Sequence, residues 1–199
     1  MITIKTLETA GIDTAIHAMR NPYDSWWKSD SEPGKVGQSD RELSEKLSKA
    51  GTEHAKHLRL CMVWAEIDAP LYWWKEFDTY RMGVEKVSCS TMHTITKHKF
   101  SSDMFTARVD PGCINWLEVQ RGFFLTAETE DTKKLYWRSI IENLPSGFIQ
   151  KRTVMMSYAA LRQICKQRKG HRLSEWEDFR DWAFKLPESW MIKEKEGEG

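Results

Sequence analysis

The sequence has no excess of charge of either sign. Thirty Lys and Arg face 29 Asp and Glu, a formal net charge of +1. A general binder of duplex nucleic acid usually carries a basic excess or stripe, so nothing here supports that class. Long apolar runs are also missing: none reaches the ~18–20 residues that span a bilayer. The first residues, MITIKTLETAG, have no apolar core of a secretory signal, which leads to the expectation of a cytoplasmic protein. No CxxC pair occurs among Cys61, Cys89, Cys113 and Cys165, so a zinc site or dithiol motif has little support, and four buried free thiols are expected. GxGxxG, P-loop, nucleophile-elbow and HExxH patterns are absent as well. His54 and His57 stand three apart with no third ligand at useful spacing, so solvated histidines are expected and no metal site.

Apolar residues make up 40% of the chain, enough for a core, and ten are tryptophan. Indoles fill cores and also wall sites for planar ligands; their number alone does not separate the two. Residues 2–5 alternate as a short strand, Gly11 marks a turn, and 14–19 suits a returning strand or a short helix. Residues 20–40, rich in Asn, Pro, Ser, Asp and Gly, read as a long ordered loop. Ser39–Asp40 suits an N-cap, and Gly51 the end of the helix that follows. The stretch 54–64 suits a helix or a buried strand, and Pro70 interrupts it. Leu71, Trp74, Phe77 and Arg81 have helical spacing, whereas 82–90 reads as a loop. Helical patterns follow over 114–124 and 132–143, stopped at Leu144–Pro145. A long helix is expected over 153–169, with Val154, Tyr158, Leu161 and Cys165 on one face and Gly170 at its end. Ser174 and Glu177 suggest a capping box for a last helix. One domain over 1–192 and a disordered tail over 193–199 are expected.

Two polar constellations carry possible chemistry. Glu76, Asp78, Arg81, Glu85, Lys86, Ser88, Cys89, Ser90 and His93 crowd behind an aromatic segment. Hydroxyls and loop amides can cradle a phosphate, and an arginine adds a bidentate fork; the same residues also suit a solvated helix end. Ser157, Gln163, Arg168 and His171 form the second. On one helix, Ser157 and Arg168 would lie ~16 Å apart on a shared face, a span that suits an extended ligand. Taken alone, they suit a plain polar helix face better.

Order and spacing in two segments resemble the flavin-dependent thymidylate synthase family. That family has Ala-Pro, then Gln, then Arg-His-Arg, then a loop ending Asn-Glu-x-Ser-x-Arg. Here Ala69–Pro70 is followed by Glu76 at the Gln position and by Thr79, Tyr80 and Arg81; with one inserted residue, Val87–Ser88–Cys89–Ser90 meets the loop, and Met92 replaces its last Arg. The second segment has Leu-Pro, then Asn-x-Arg-Ser-Leu, a polar residue, an essential Arg, and Ala-Gln-x-Glu-Ile. Here Leu144–Pro145 is followed by Ser157, Ala159 at an Arg position, Leu161, Gln163, Arg168, and SEWEDF from Ser174. The strings EFDTY, STMH and LP…QKRTVM look like those of a phage and gut-bacterial branch.

The resemblance implies an α/β fold, a mostly antiparallel sheet flanked by helices with one long helix in the C-terminal half. It implies a homotetramer that methylates deoxyuridine monophosphate (dUMP), with methylenetetrahydrofolate as one-carbon donor, FAD as hydride carrier and NADPH as its reductant. Arg168 would hold the nucleotide and its developing charge, as the residue assigned to catalysis. Glu76, Ser88 and Ser90 would join it on the substrate, Ser90 at the phosphate. Tyr80, Arg81, Ser157, Gln163 and His171 would line the flavin. Related pyrimidine chemistry such as hydroxymethylation is an alternative. So is a catalytically silent relative that binds a nucleotide or a protein, given Thr79, Met92 and Ala159 at arginine-type positions.

Overall fold

A computed structural model describes residues 2–193. Of the tail expected over 193–199, residues 194–199 lie outside the described residues. In chain order the regular elements are β1 (Thr3–Ala10), α1 (Ile12–Ala18), α2 (Gln38–Ala50), β2 (Met62–Pro70), α3 (Leu71–Phe77), β3 (Val84–Ser88), α4 (Thr91–Thr94), α5 (Pro111–Thr126), α6 (Glu130–Glu142), β4 (Ile149–Ser157), α7 (Tyr158–Gln167) and α8 (Glu175–Ala183). The described strands form a four-stranded sheet in the order β1-β2-β4-β3.

Its register is antiparallel. Leu71 N–H donates to Phe148 at one end of the β2–β4 pair, and Tyr158 N–H to Cys61 at the other. β3 pairs with β4 the same way, through Cys89 N–H to Lys151 and Ser157 N–H to Gly83. Such a sheet with helices is the α/β class expected; the longest described helix is α5, not one over 153–169.

By contacts the chain divides into two compact units. One takes residues up to 3, 68–79 and 87–152; the other takes 4–67, 80–86 and 153 onward. In the first, Ile95, Phe100, Phe105, Leu117, Ile140 and Phe148 form a buried cluster, with Ile114 and Ile141 packed on it. Helix α5 begins at Pro111 with Asp110 accepting from Gly112 N–H at 2.6 Å, and α6 begins with Thr129 accepting from Thr132 N–H at 3.2 Å.

In the second unit, Cys61, Val63, Ala65 and Ile67 of the β2 region are fully buried at period two. That periodicity settles the open reading of 54–64: a 3-10 turn over Lys56–Arg59, then a strand. The loop after α1 is ordered, as expected, around Asp40. Arg20 Nε donates to Asp40 at 2.6 Å, and the hydroxyls of Ser29 and Ser31 donate at 2.5 and 2.6 Å. Burial opposes the charge of Asp40, yet these hydroxyls and the guanidinium hold its carboxyl below the usual range.

Several expectations are corrected. Helix α7 starts at Tyr158 and ends at Gln167, because 149–157 is strand β4. Val154 and Tyr158 stand four apart, a spacing that shares a face in a strand as well as in a helix, so the apolar stripe ran through both. The segment 82–90 contains β3, a five-residue edge strand whose mostly exposed side chains gave it a loop's polarity. Of the two readings of 14–19, the short helix holds, since these residues belong largely to α1. Asp30, not Ser39, caps α2: its carboxylate accepts from Ser39 and Asp40 N–H at 2.8 and 3.0 Å. Ser174 stands at the N-cap position of α8, as expected, but makes no side-chain cap bond, so the capping box is absent. Two thiols, Cys61 and Cys165, are buried, and burial pushes both up to about 12; Cys89 and Cys113 are exposed. His57 is not solvated; it is buried against Ser44, while His54 is exposed.

Candidate functional site

The C-terminal end of α7 builds the site, in the second unit. Arg168 is the C-cap of α7, its N–H donating to Ile164 at 3.0 Å. Gly170 follows with φ +67°, the left-handed conformation that favours glycine, and turns the chain so that His171 N–H donates back to the Arg168 carbonyl at 3.3 Å. Glu177 steadies this turn by accepting from Gly170 N–H at 3.1 Å. The glutamate expected in a capping box thus braces the loop before α8.

Around that turn three residues assigned to ligands from the sequence come together. Arg168 Nε donates to the Tyr80 phenol oxygen at 2.8 Å. Arg168 Nη1 lies 3.1 Å from His171 Nε2. The guanidinium carbon sits 4.5 Å from the Trp176 ring centroid and 5.4 Å from that of Tyr80. Trp176 is fully buried and meets Tyr80 and His171 edge to face, each at 6.2 Å between centroids. Arg168, Tyr80 and His171 are half-buried, so the cluster is anchored below and reachable from outside. A guanidinium over an indole carries donors in a fixed fork, the chemistry suited to a charged or strongly polar oxygen. Lys86 Nζ donates to the Tyr80 carbonyl at 3.3 Å and adds a second cation nearby.

Ser157 lies at the opposite end of α7 from Arg168. Its hydroxyl accepts from Ala160 N–H at 3.2 Å and caps the helix, and the residue is buried. Gly83 presses on it: a Cβ there would meet Ser157 Oγ at 2.5 Å, and φ is +69°. Gln163 is exposed on α7, and Arg81 is exposed just before β3.

Glu76, Ser88 and Ser90 belong to the first unit. Glu76 lies in the last turn of α3, where its carbonyl accepts from the Thr79 hydroxyl at 2.7 Å. Ser88 ends β3, exposed. Ser90 precedes α4, its carbonyl accepting from the Thr94 hydroxyl at 2.8 Å and from Thr94 N–H at 3.1 Å.

Sequence reasoning missed Trp176 as part of the site. Its place on the apolar face of α8 made it an ordinary core residue. The available signal was the short glycine-containing turn, Arg168 to His171, leading directly into that helix.

Solved structures with this fold include ThyX, a flavin-dependent thymidylate synthase, from Helicobacter pylori. Its structure with FAD and dUMP matches with a TM-score of 0.69 at 16% identity, covering 97% of this chain and 98% of that one. A second structure of that protein, also with FAD and dUMP, gives 0.69 and 16%, covering 96% and 97%. No protein-family model and no curated protein matches the chain. The likeness establishes a thymidylate-synthase-like fold over nearly the whole chain.

Proposed function

We propose that this protein binds FAD and dUMP and methylates the nucleotide, with residues 1–192 acting as one domain of a homotetramer. The observation that carries the reading is Arg168 stacked on Trp176 and bonded to Tyr80, with His171 beside it, in a chain of thymidylate-synthase-like fold. A hydroxyl, a guanidinium and an imidazole beside aromatic faces make a donor set that fits an electron-rich planar ring bearing carbonyl oxygens. When bound, FAD reduced by NADPH supplies the hydride and methylenetetrahydrofolate the carbon unit. The protein's part is to bind, orient and hold charge. Arg168 holds the nucleotide and the negative charge that grows on it, and Glu76, Ser88 and Ser90 complete the substrate contacts. Tyr80, Arg81, Ser157, Gln163 and His171 line the flavin. The chain is taken as a cytoplasmic member of the phage and gut-bacterial branch; no helix among the described residues is long and apolar enough to cross a membrane. Hydroxymethylation would use the same residues and differ only in the fate of the carbon unit.

A second reading, a silent relative that keeps the fold and binds a nucleotide or a protein, has its own support. Thr79, Met92 and Ala159 stand where the family has arginines. Each such charge-assisted contact is worth about 1.5–3 kcal/mol. FAD titration monitored by tryptophan fluorescence and flavin absorbance separates the two. Saturable binding supports the enzyme; no binding up to about 1 mM, weaker than about −4 kcal/mol, favours the silent relative. Light scattering at four times the 23.4 kDa chain mass supports the tetramer, and a stable monomer removes it.

A further inference from the structure

We infer that a cavity lined by α2, α7 and the segment after α8 is an anion site, and that it takes a phosphate group. The site is independent of FAD and dUMP binding at the Arg168 turn.

Ser48 and Lys49 line the cavity from the last turn of α2, Arg162 from α7, and Trp190 and Lys193 from the segment after α8. They enclose about 330 Å³ of open space, the mouth to solvent included. All of them belong to the second unit. Arg162 and Arg168 stand six residues apart, which is about 120° around a helix, so the two arginines serve different faces of α7.

Arg162 carries the argument. It is half-buried, and among the described residues no hydrogen bond or ion pair engages its guanidinium. Other half-buried arginines do not stand this way. Arg121, Arg152 and Arg180 each meet a carboxylate, at 3.1, 2.8 and 2.5 Å. The acid in the cavity lining, Glu45, meets Arg41 Nε at 3.4 Å. The Arg162 charge also reaches inward: burial first and then this guanidinium lower His57 to about 4. A cation partly withdrawn from water costs free energy until an anion offsets it.

The other donors select the anion. Lys193 Nζ lies 5.6 Å from the Phe184 centroid, a contact that uses none of its hydrogen-bond donors. Ser48 adds a hydroxyl from a third element. A carboxylate offers two oxygens in one plane and suits a single fork; a phosphate offers oxygens in several directions and suits donors arriving from three elements. Trp190 forms a fixed wall, since its Nε1 donates to Glu188 and the Arg41 guanidinium carbon sits 5.0 Å from its ring centroid. An apolar wall lowers the local dielectric and strengthens the attraction between cation and anion.

The test is a titration with inorganic phosphate at neutral pH, chloride holding the ionic strength constant, followed by proton–nitrogen NMR. Wild type should show saturable, single-site shifts at Ser48, Arg162 and the Trp190 indole. Arg162→Gln should weaken binding about tenfold or more and Lys193→Gln about threefold, each variant keeping the native near-ultraviolet spectrum. Lys5→Gln, the same charge change on β1 outside the cavity, should bind as wild type does. If Arg162→Gln loses the native spectrum, Lys193→Gln decides, because that side chain is exposed. Ribose 5-phosphate is titrated in parallel: tighter binding than phosphate assigns the site to a phosphate ester, and weaker binding to the free ion. No saturable response in wild type, unchanged affinity in both cavity variants, or an equal loss in Lys5→Gln overturns the inference. The proposed function stands or falls separately, on FAD and dUMP.

Discussion

Arg152 and Arg168 each lie over a buried tryptophan, and their donors meet different groups. In the first unit Arg152 sits 4.3 Å from the Trp74 centroid, its Nη1 donating to Asp78 at 2.8 Å and its Nε to Gln150 at 2.9 Å. In the second unit Arg168 sits 4.5 Å from Trp176, its Nε donating to a phenol oxygen and its Nη1 facing an imidazole nitrogen. The aromatic platform is the same. Arg152 ends on a carboxylate and an amide oxygen, a closed set that holds structure together. Arg168 ends on a phenol and an imidazole, two groups that the sequence assigns to ligands. The groups that the guanidinium donors meet, more than the ring beneath, distinguish the two arginines.

The largest effects concern the platforms. Trp74 and Trp176 are both fully buried. Trp74→Ala and Trp176→Ala should each cost about 3–5 kcal/mol in urea unfolding, from lost burial and the cavity left behind. A small loss for Trp176 alone would mean that its stack is loosely held, and the symmetry between the two would fail.

An acid titration of stability comes next, and it should report a third place. Burial and then the nearby Arg162 charge lower His57 from 6.5 to about 4. The unfolded chain therefore binds more protons than the folded one between those values. Stability from this group is complete above about pH 6.5 and is lost as pH falls toward 4, by about 3 kcal/mol at most. His57→Gln should flatten that slope. A slope that persists unchanged in His57→Gln would assign the acid response to another group.

Removing each arginine sharpens the contrast. Arg152→Ala takes away partners of Asp78 and of the buried Gln150, and should cost about 1.5–3 kcal/mol of stability with dUMP affinity unchanged. Reduced dUMP affinity in Arg152→Ala would give that arginine a ligand role as well. The smallest effect is at Ser157. Loss of its helix cap in Ser157→Ala should cost about 1 kcal/mol by thermal melting. A fall in FAD affinity beyond that expected from stability would give the hydroxyl a second partner.

Much of this was legible from residue order. The turn at Gly170, the stop at Leu144–Pro145, and helices α3, α5 and α6 follow from local chemistry that nothing distant overrides. The β4–α7 junction was not legible, because residues four apart share a face in both kinds of element and Ser157 looks alike as a cap or a ligand. The edge strand β3 was hidden by polar side chains, its pairing being a matter of backbone. Arg168, Tyr80 and His171, assigned to ligands through order and spacing, lie together in the structure. Trp176 was not assigned, because a buried indole on an amphipathic helix carries no local mark of the cation above it. The Leu173 N–H bond to His171 Nδ1 was not legible either, because no sequence pattern encodes it.

Calorimetric titration of dUMP into wild type, Arg168→Ala and Arg168→Lys tests the central assignment most directly. Wild type should bind. Arg168→Ala should lose at least about tenfold in affinity, as expected for a contact worth about 1.5–3 kcal/mol. Arg168→Lys should recover only part of it, because a point charge on a flexible stem does not reproduce the planar fork. Equal affinity in all three proteins, or none in any, would contradict the assignment of Arg168 to the nucleotide and leave the thymidylate-synthase-like fold without this site.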